Sequence, residues 1–247
     1  MSTYVLVHGA WQGEWAWELV KPQLEALGHT VITLDLLGSG KDTTPSQNIT
    51  LDSYVDAVTA TINQQTEKVI VVGHSMGGIV ITQTAELIPN KIDKLVYLCA
   101  FLPQNGESLG SKLDGEAGPQ FSINENDMTA ELIPNLIEKT FLNATENEEI
   151  KEASSKKMVL VAEDASSKKM RPQPLGPFQQ QLKISEENFG TVDRIYIETT
   201  LDRAIPIDFQ RRMNTETPCS KIITLEADHS PFFSKATELV NCLHALS

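Results

Sequence analysis

The chain has 247 residues, of which 40% are hydrophobic and 21% are charged, a composition typical of one globular domain. Its formal net charge is -13 at pH 7, and a negative charge of that size repels phosphate groups. We therefore expect neither a nucleic acid nor an anionic membrane as a partner, and strongly anionic substrates are disfavoured.

Short apolar runs alternate with amphipathic segments along the chain, which is the order expected for a mostly parallel sheet flanked by helices. The runs rich in Val, Ile, Leu or Tyr predict six strands that are buried on both faces, at residues 4–8, 31–35, 68–72, 94–100, 194–199 and 221–225. Apolar residues at helical spacing predict helices at residues 14–27, 51–62, 78–87 and 236–243. Thr50 is a candidate N-cap, and Gly28 is a candidate helix stop.

The alternation of strands and helices stops after Pro103. Residues 103–190 are polar and rich in proline, with helical patterns near residues 130–141 and 145–161. A structureless loop of this length would be unusual in a compact domain. We therefore predict one domain over residues 1–247, in which residues 1–102 and 191–247 form the core and residues 103–190 form an inserted helical cap. An ordinary surface excursion is the alternative.

Residues 73–77 read Gly-His-Ser-Met-Gly, directly after the third predicted strand and before a helix. The pattern Gly-x-Ser-x-Gly in this setting is typical of a nucleophile elbow. Such a turn lifts the serine hydroxyl above the edge of the sheet, where the amides of the next helix favour negative charge. Ser75 is therefore the predicted nucleophile, and a serine that only caps the helix is the alternative.

A serine hydroxyl needs a base and a carboxylate that orients the base. His229 follows the last strand, and Asp202 follows the fifth strand. Both positions lie at the carboxyl edge of the sheet, where the sites of open α/β sheets assemble. We predict His229 as the base and Asp202 as its orienting acid; Asp35 is expected to structure a loop, and Asp228 is too close in sequence to be a reliable orienter. Of the remaining histidines, His8 belongs to the predicted oxyanion loop, and His29 is expected to be structural. His74 is expected to point away from the serine, and His244 is expected to lie on the surface or in packing.

Acyl transfer also needs two backbone donors for the oxyanion that forms on the carbonyl. We predict the amide of Met76, which follows the nucleophile, and the amide of Ala10, in the loop after the first strand. Six apolar side chains are candidates for the substrate pocket, with core packing as the alternative for each: Trp11, Phe101, Leu102, Phe121, Phe141 and Phe178.

The three cysteines, Cys99, Cys219 and Cys242, stand at unrelated spacings. They predict neither a disulfide framework nor a metal site. With no secretory leader pattern and no long apolar run, the chain is expected to be cytoplasmic; an extracellular protein without disulfides is the alternative. The expected partner is a small-molecule ester, with no metal, no organic cofactor and no membrane, and a homodimer is left open.

These motifs resemble one branch of the α/β-hydrolase superfamily, together with residues 35–42, Asp-Leu-Leu-Gly-Ser-Gly-Lys-Asp, and residues 95–103, Leu-Val-Tyr-Leu-Cys-Ala-Phe-Leu-Pro. The branch includes plant methyl-salicylate esterases, plant hydroxynitrile lyases and bacterial esterases, some of them described as pyrethroid hydrolases. The resemblance covers residues 3–102 and 191–246. It is weaker in the cap, where residues 171–175 look most like the bacterial members.

The resemblance implies an α/β-hydrolase fold, a triad in the chain order Ser75, Asp202, His229, and an oxyanion hole formed by the amides of Ala10 and Met76. The same residues were predicted above from their positions after the ends of the strands.

The resemblance also separates the esterases from the lyases of the branch. The lyases carry a lysine after the catalytic histidine and a threonine after the first-loop histidine, and this chain has Ser230 and Gly9 in those places. We therefore predict a serine esterase that works through an acyl-enzyme intermediate. Lyase-type C–C cleavage and a non-catalytic small-molecule receptor are the alternatives, and cleavage of amides, thioesters or lactones is left open.

Overall fold

A central parallel sheet organises the chain in the computed structural model, which describes residues 1–114, 116, 120–158 and 170–247. Within these residues the strands are β1 (Thr3–Val7), β2 (Thr30–Thr33), β3 (Val69–His74), β4 (Ile92–Leu98), β5 (Phe121–Asn124), β6 (Thr129–Leu132), β7 (Gln173–Pro174), β8 (Asp193–Thr199) and β9 (Lys221–Leu225). Six of them form one sheet in the order β2-β1-β3-β4-β8-β9, and each pairing in it is parallel. This confirms the predicted six-stranded sheet, in which every residue of the central strand β3 is buried. The prediction that all six strands are buried on both faces is wrong for the edge strands β2 and β9, because each pairs with a neighbour on one side only and most of its residues are exposed or half-buried.

Helices lie between these strands. The described α-helices are α1 (Lys21–Ala26), α2 (Leu51–Asn63), α3 (Gly77–Leu87), α4 (Leu109–Leu113), α5 (Ile137–Phe141), α6 (Glu148–Met158), α7 (Gly176–Gln179), α8 (Ile207–Glu216), α9 (Pro231–Ser234) and α10 (Ala236–His244), with short 3-10 turns at Glu14–Trp17, Ser46–Asn48, Pro89–Lys91, Pro134–Leu136 and Phe189–Thr191. Thr50 caps α2 as predicted, because its side chain accepts the amide of Ser53.

The predicted single helix over residues 14–27 is wrong. The segment forms a 3-10 turn at Glu14–Trp17, followed by α1 at Lys21–Ala26. Pro22 lies in the first turn of α1. It has no amide hydrogen, and its ring prevents a helix from running through this position. Gly28 follows α1 with a φ of +87°, the left-handed conformation that ends a helix.

The segment between β4 and β8 contains both strands and helices, so the prediction of a purely helical cap is incomplete. Part of the predicted helix near residues 130–141 is strand β6, which pairs antiparallel with β5, and β6 pairs with β7. The side chain of Asn124 accepts the amides of Asn126 and Asp127, and this local turn reverses the chain between β5 and β6. The helix predicted near residues 145–161 is α6, and its predicted last residues lie outside the described part of the chain.

Trp11 attaches the cap to the core at the carboxyl end of β1. Its amide donates to Gln173 Oε1 at 3.2 Å, and its indole Nε1 donates to the carbonyl of Ala130 at 2.8 Å. The amide of Arg171 in turn donates to the carbonyl of Trp11 at 3.0 Å. The cap therefore lies over the edge of the sheet where Ser75 is found. Within the described residues, no helix combines the length and apolar character that crossing a membrane requires.

Candidate active site

Ser75 occupies a tight turn between β3 and α3, and its backbone adopts a φ of +52°. The flanking glycines make this turn possible. A Cβ atom at Gly73 would lie 2.7 Å from the carbonyl oxygen of Gly77, and a Cβ atom at Gly77 would lie 2.8 Å from the carbonyl oxygen of Val7. The Gly-x-Ser-x-Gly pattern is thus required by contacts between backbone segments, and it holds Ser75 in a conformation that is costly for a non-glycine residue.

The side chains of Ser75, His229 and Asp202 form one hydrogen-bonded chain. His229 Nε2 lies 3.0 Å from Ser75 Oγ, and His229 Nδ1 lies 2.7 Å from Asp202 Oδ2. All three residues are buried. With Nδ1 bonded to the carboxylate, the imidazole presents Nε2 as an acceptor for the serine proton, which is the arrangement that nucleophilic acyl transfer needs.

Asp202 is held in place by its own surroundings after β8. Its Oδ1 accepts the amides of Ala204 at 2.7 Å and Ile205 at 2.8 Å. Its Oδ2 accepts Thr199 Oγ1 at 3.2 Å and Gln210 Nε2 at 3.3 Å, besides His229. These contacts hold the Asp202 carboxylate in one orientation, facing His229.

His74, the residue before the nucleophile, lies beneath His229. Its Nε2 donates to the backbone carbonyl of His229 at 2.8 Å, and the two ring centroids are 4.7 Å apart. Burial, followed by the electrostatic interaction with His229, lowers the pKa of His74 well below its ordinary value of 6.5. The sequence pattern accepts any residue at this position, so it carried no signal for this contact.

The loop after β1 packs directly against the nucleophile. A Cβ atom at Gly9 would lie 2.9 Å from Ser75 Cβ and 2.8 Å from His74 Nδ1. Ala10, the next residue, lines the same cavity as Ser75 and Met76. The two residues predicted to supply oxyanion donors therefore lie at the same cavity as the serine hydroxyl.

A cavity of about 310 Å³, its open mouth included, lies above Ser75. Four of the predicted pocket residues line it: Trp11, Phe101, Phe141 and Phe178. Four further lining residues had no sequence signal, because they come from the short helix α4 and from the loop after Asp202: Leu109, Leu113, Ala204 and Ile205. Among the residues that the structure describes, the lining is apolar except for Ser75 and His229.

Two of the predicted pocket residues lie outside this lining. Leu102 is fully buried in the core, with its amide 3.5 Å from the sulfur of Met213. Phe121 packs behind the cavity wall, with its ring centroid 5.9 Å from that of Trp11 and 6.4 Å from that of Phe178. Both residues therefore pack in the core, which was the alternative to pocket lining. The position of an apolar residue in the sequence does not distinguish these two roles.

One cluster in the described residues has the composition of a metal site. Ligand atoms of His74, Cys99 and His229 lie within 4.8 Å of one another. They are engaged in hydrogen bonds: His74 Nε2 and Cys99 Sγ both face the carbonyl of His229, and His229 Nδ1 faces Asp202. The geometry therefore assigns this cluster to holding His229 in place.

Comparisons with known proteins give consistent results. A family model described as "Alpha/beta hydrolase family" matches residues 4–241. The chain is 35% identical to the putative methylesterase 11, chloroplastic, of Arabidopsis thaliana over 96% of its length, and it spans 61% of that relative. It is 33% identical to the alpha-hydroxynitrile lyase of the same plant, over 99% of this chain and 96% of that protein. The crystal structure of polyneuridine aldehyde esterase superposes with a TM-score of 0.83 at 27% identity, covering 100% of this chain and 99% of that one.

Proposed function

Since the chain belongs to the alpha/beta hydrolase family, we propose that it is a serine hydrolase that cleaves small carboxylic esters through an acyl-enzyme intermediate. The observation that carries the proposal is the pair of distances at His229, 3.0 Å to Ser75 Oγ and 2.7 Å to Asp202 Oδ2. The esterases among its relatives and structural neighbours support the same activity.

In the first half-reaction, Ser75 Oγ attacks the ester carbonyl carbon while His229 Nε2 takes the serine proton. Asp202 stabilises the imidazolium that forms. The amides of Ala10 and Met76 stabilise the negative charge on the carbonyl oxygen, a contribution typically worth about 3 kcal/mol for each donor. His229 then protonates the leaving alcohol, and water hydrolyses the acyl-enzyme by the same route.

The cavity supports a particular kind of ester. Apart from Ser75 and His229, the described side chains that line it are apolar, so none of them offers a charged partner to a substituent on the substrate. The enclosed space within it is only about 20 Å³, little more than one water molecule needs. An uncharged, apolar acyl group of modest size fits these properties, and the methylesterases among the relatives support a small alcohol such as methanol.

Hydroxynitrile lyase activity is the second candidate, because one relative at 33% identity carries that name. Two positions favour ester hydrolysis. Ser230 stands where the lyases that the sequence resembles carry a lysine, and Gly9 stands where they carry a threonine. A side chain at position 9 would meet His74 Nδ1 at 2.8 Å, so the loop of this chain is built around a glycine.

The test is turnover of p-nitrophenyl acetate by the wild-type chain and by S75A. We expect a loss of kcat on the order of 10⁶-fold in S75A, as for other serine triads, and no change in the control S122A, at an exposed position of the cap. Unchanged turnover in S75A would contradict the proposed mechanism. Cyanide release from mandelonitrile, measured on the same preparations, tests the lyase alternative; a chain that binds these compounds without turning over either is a receptor.

We also propose a cellular location and an assembly state for the protein. Cys99, Cys219 and Cys242 are free thiols, which supports a reducing compartment such as the cytoplasm. The proposed mechanism uses protein groups and water alone. A homodimer is the assembly to test first, by light scattering, since dimers are the commonest oligomers.

A further inference from the structure

Asp228 precedes the proposed base, and its buried carboxylate contacts both the core and the cap. Oδ1 accepts the amide of Ser230 at 3.1 Å and the hydroxyl of Ser234 at 2.8 Å. Oδ2 accepts the amide of Ala144 at 2.9 Å and the hydroxyl of Thr145 at 3.1 Å. All four partners are donors, so both carboxylate oxygens are fully used as acceptors. One carboxylate thus joins the histidine loop to the cap.

The cap residues that Asp228 holds belong to a segment that forms a wall of the cavity. We call residues 137–145 the cap arm; it comprises α5 and the four residues after it. Phe141 on this arm lines the cavity, and its ring centroid lies 5.3 Å from that of His229. Asn143 Nδ2 donates to the carbonyl of Leu201 at 3.0 Å, a second anchor of the arm. The place of the Phe141 ring therefore depends on the contacts that fix this arm.

We propose that Asp228 is a positioning residue that sets acyl-chain selectivity by holding Phe141 against His229. The inference rests on the proposed esterase function. Because the same carboxylate binds the cap arm and the residue after His229, it fixes the distance between the cavity wall and the base. Loss of the bonds on Oδ2 frees the arm to move outward and widens the cavity for longer acyl chains. Loss of the bonds on Oδ1 leaves the arm in place.

Two conservative variants distinguish the roles of the two Asp228 carboxylate oxygens. T145V removes one hydroxyl donor from Oδ2, and S234A removes one hydroxyl donor from Oδ1. The measured quantity is the ratio of kcat/KM for p-nitrophenyl hexanoate to that for p-nitrophenyl acetate. We expect T145V to raise this ratio roughly three- to tenfold and S234A to leave it within about twofold of the wild type. An unchanged ratio in T145V, or an equal rise in S234A, would overturn the proposal.

Hydrogen exchange gives a readout that does not depend on turnover. In D228N an amide group replaces one of the two acceptor oxygens, and we expect faster exchange of the backbone amides at residues 142–146. T145V, which keeps the carboxylate, should show a smaller increase in the same amides, and S234A should show none. Protection that is unchanged in both D228N and T145V would overturn the proposal that Asp228 holds the cap arm. Absence of ester turnover in the wild-type chain would instead count against the proposed function, and the exchange result would still stand by itself.

Discussion

The backbone carbonyl of His229 accepts a hydrogen bond of 2.8 Å from His74 Nε2. Cys99 Sγ faces the same carbonyl at 3.7 Å. On the other side of the ring, His74 Nδ1 lies 3.1 Å from Gln12 Oε1, which also accepts the amide of Gly9 at 3.2 Å. His74 therefore packs between the loop after β1 and the loop of the proposed base, and both loops face Ser75.

Replacement of His74 by glutamine is expected to lower kcat by about 10- to 100-fold with little change in KM. The amide side chain cannot fill the ring's place beneath His229, and a displacement of the base by about 1 Å can cost a factor of this size. Steady-state kinetics on p-nitrophenyl acetate measures whether the loss is in kcat or in KM. H244Q is the matched control, because His244 is exposed on the last helix; equal kcat in H74Q and the wild type would show that His74 has no positioning role.

The same histidine makes stability depend on pH. Burial lowers the pKa of His74 in the folded chain well below 6.5, whereas an unfolded histidine takes up its proton near pH 6.5. Below about pH 6.5 the unfolded state therefore binds more protons at this position, and the free energy of unfolding falls as pH falls, by up to about 1.4 kcal/mol per pH unit.

Urea unfolding of the wild type and of H74Q at about pH 7.5 and about pH 5.5 measures this contribution. The wild type is expected to lose more stability than H74Q over this interval. His8 is also buried with a lowered pKa, and it is present in both proteins. A loss of equal size in the two proteins would mean that His74 is charged when the chain is folded.

Gly9 is expected to tolerate no side chain. A Cβ atom there would lie 2.8 Å from His74 Nδ1 and 2.9 Å from Ser75 Cβ, so the elbow or the loop must shift. We expect G9A to destabilise the fold by about 1–3 kcal/mol and to reduce kcat/KM more than about tenfold. The control is G190A, whose Cβ would lie nearest to the carboxylate end of the Glu186 side chain, which can move. Full activity in G9A would show that the contact between loop and elbow is not required.

Asp202 is expected to act through the imidazole it orients. D202N keeps the size of the side chain but removes its charge and favours the wrong tautomer of His229, so kcat should fall by about 10⁴-fold. Pre-steady-state kinetics would show whether formation of the acyl-enzyme is slowed. D208N, at an exposed position at the start of α8, should leave turnover unchanged. A D202N variant that retains wild-type kcat would assign the orienting role to another group.

Features that depend on neighbouring residues could be read directly from the sequence. Apolar runs predicted the six core strands, because the composition of a strand is set locally; the inner strands β1, β3, β4 and β8 are largely buried, and the edge strands β2 and β9 are not. The spacing of Gly73, Ser75 and Gly77 indicated the turn between β3 and α3, because its close backbone contacts exclude larger residues. Local signals failed where a proline or a polar turn intervened, as at Pro22 and Asn124.

Contacts between distant parts of the chain were decided only by the tertiary structure. Ser75 and His229 are separated by 154 residues, so their 3.0 Å hydrogen bond is a product of the parallel sheet, which brings its strand ends to one edge. The four donors around Asp228 come from the cap and the core together. The strand ends in the sequence indicated that Ser75, Asp202 and His229 meet at one edge of the sheet. The contacts of Asp228 had no such signal, because a hydrogen bond depends on separation in space, and residues from distant segments approach each other only when the chain is folded.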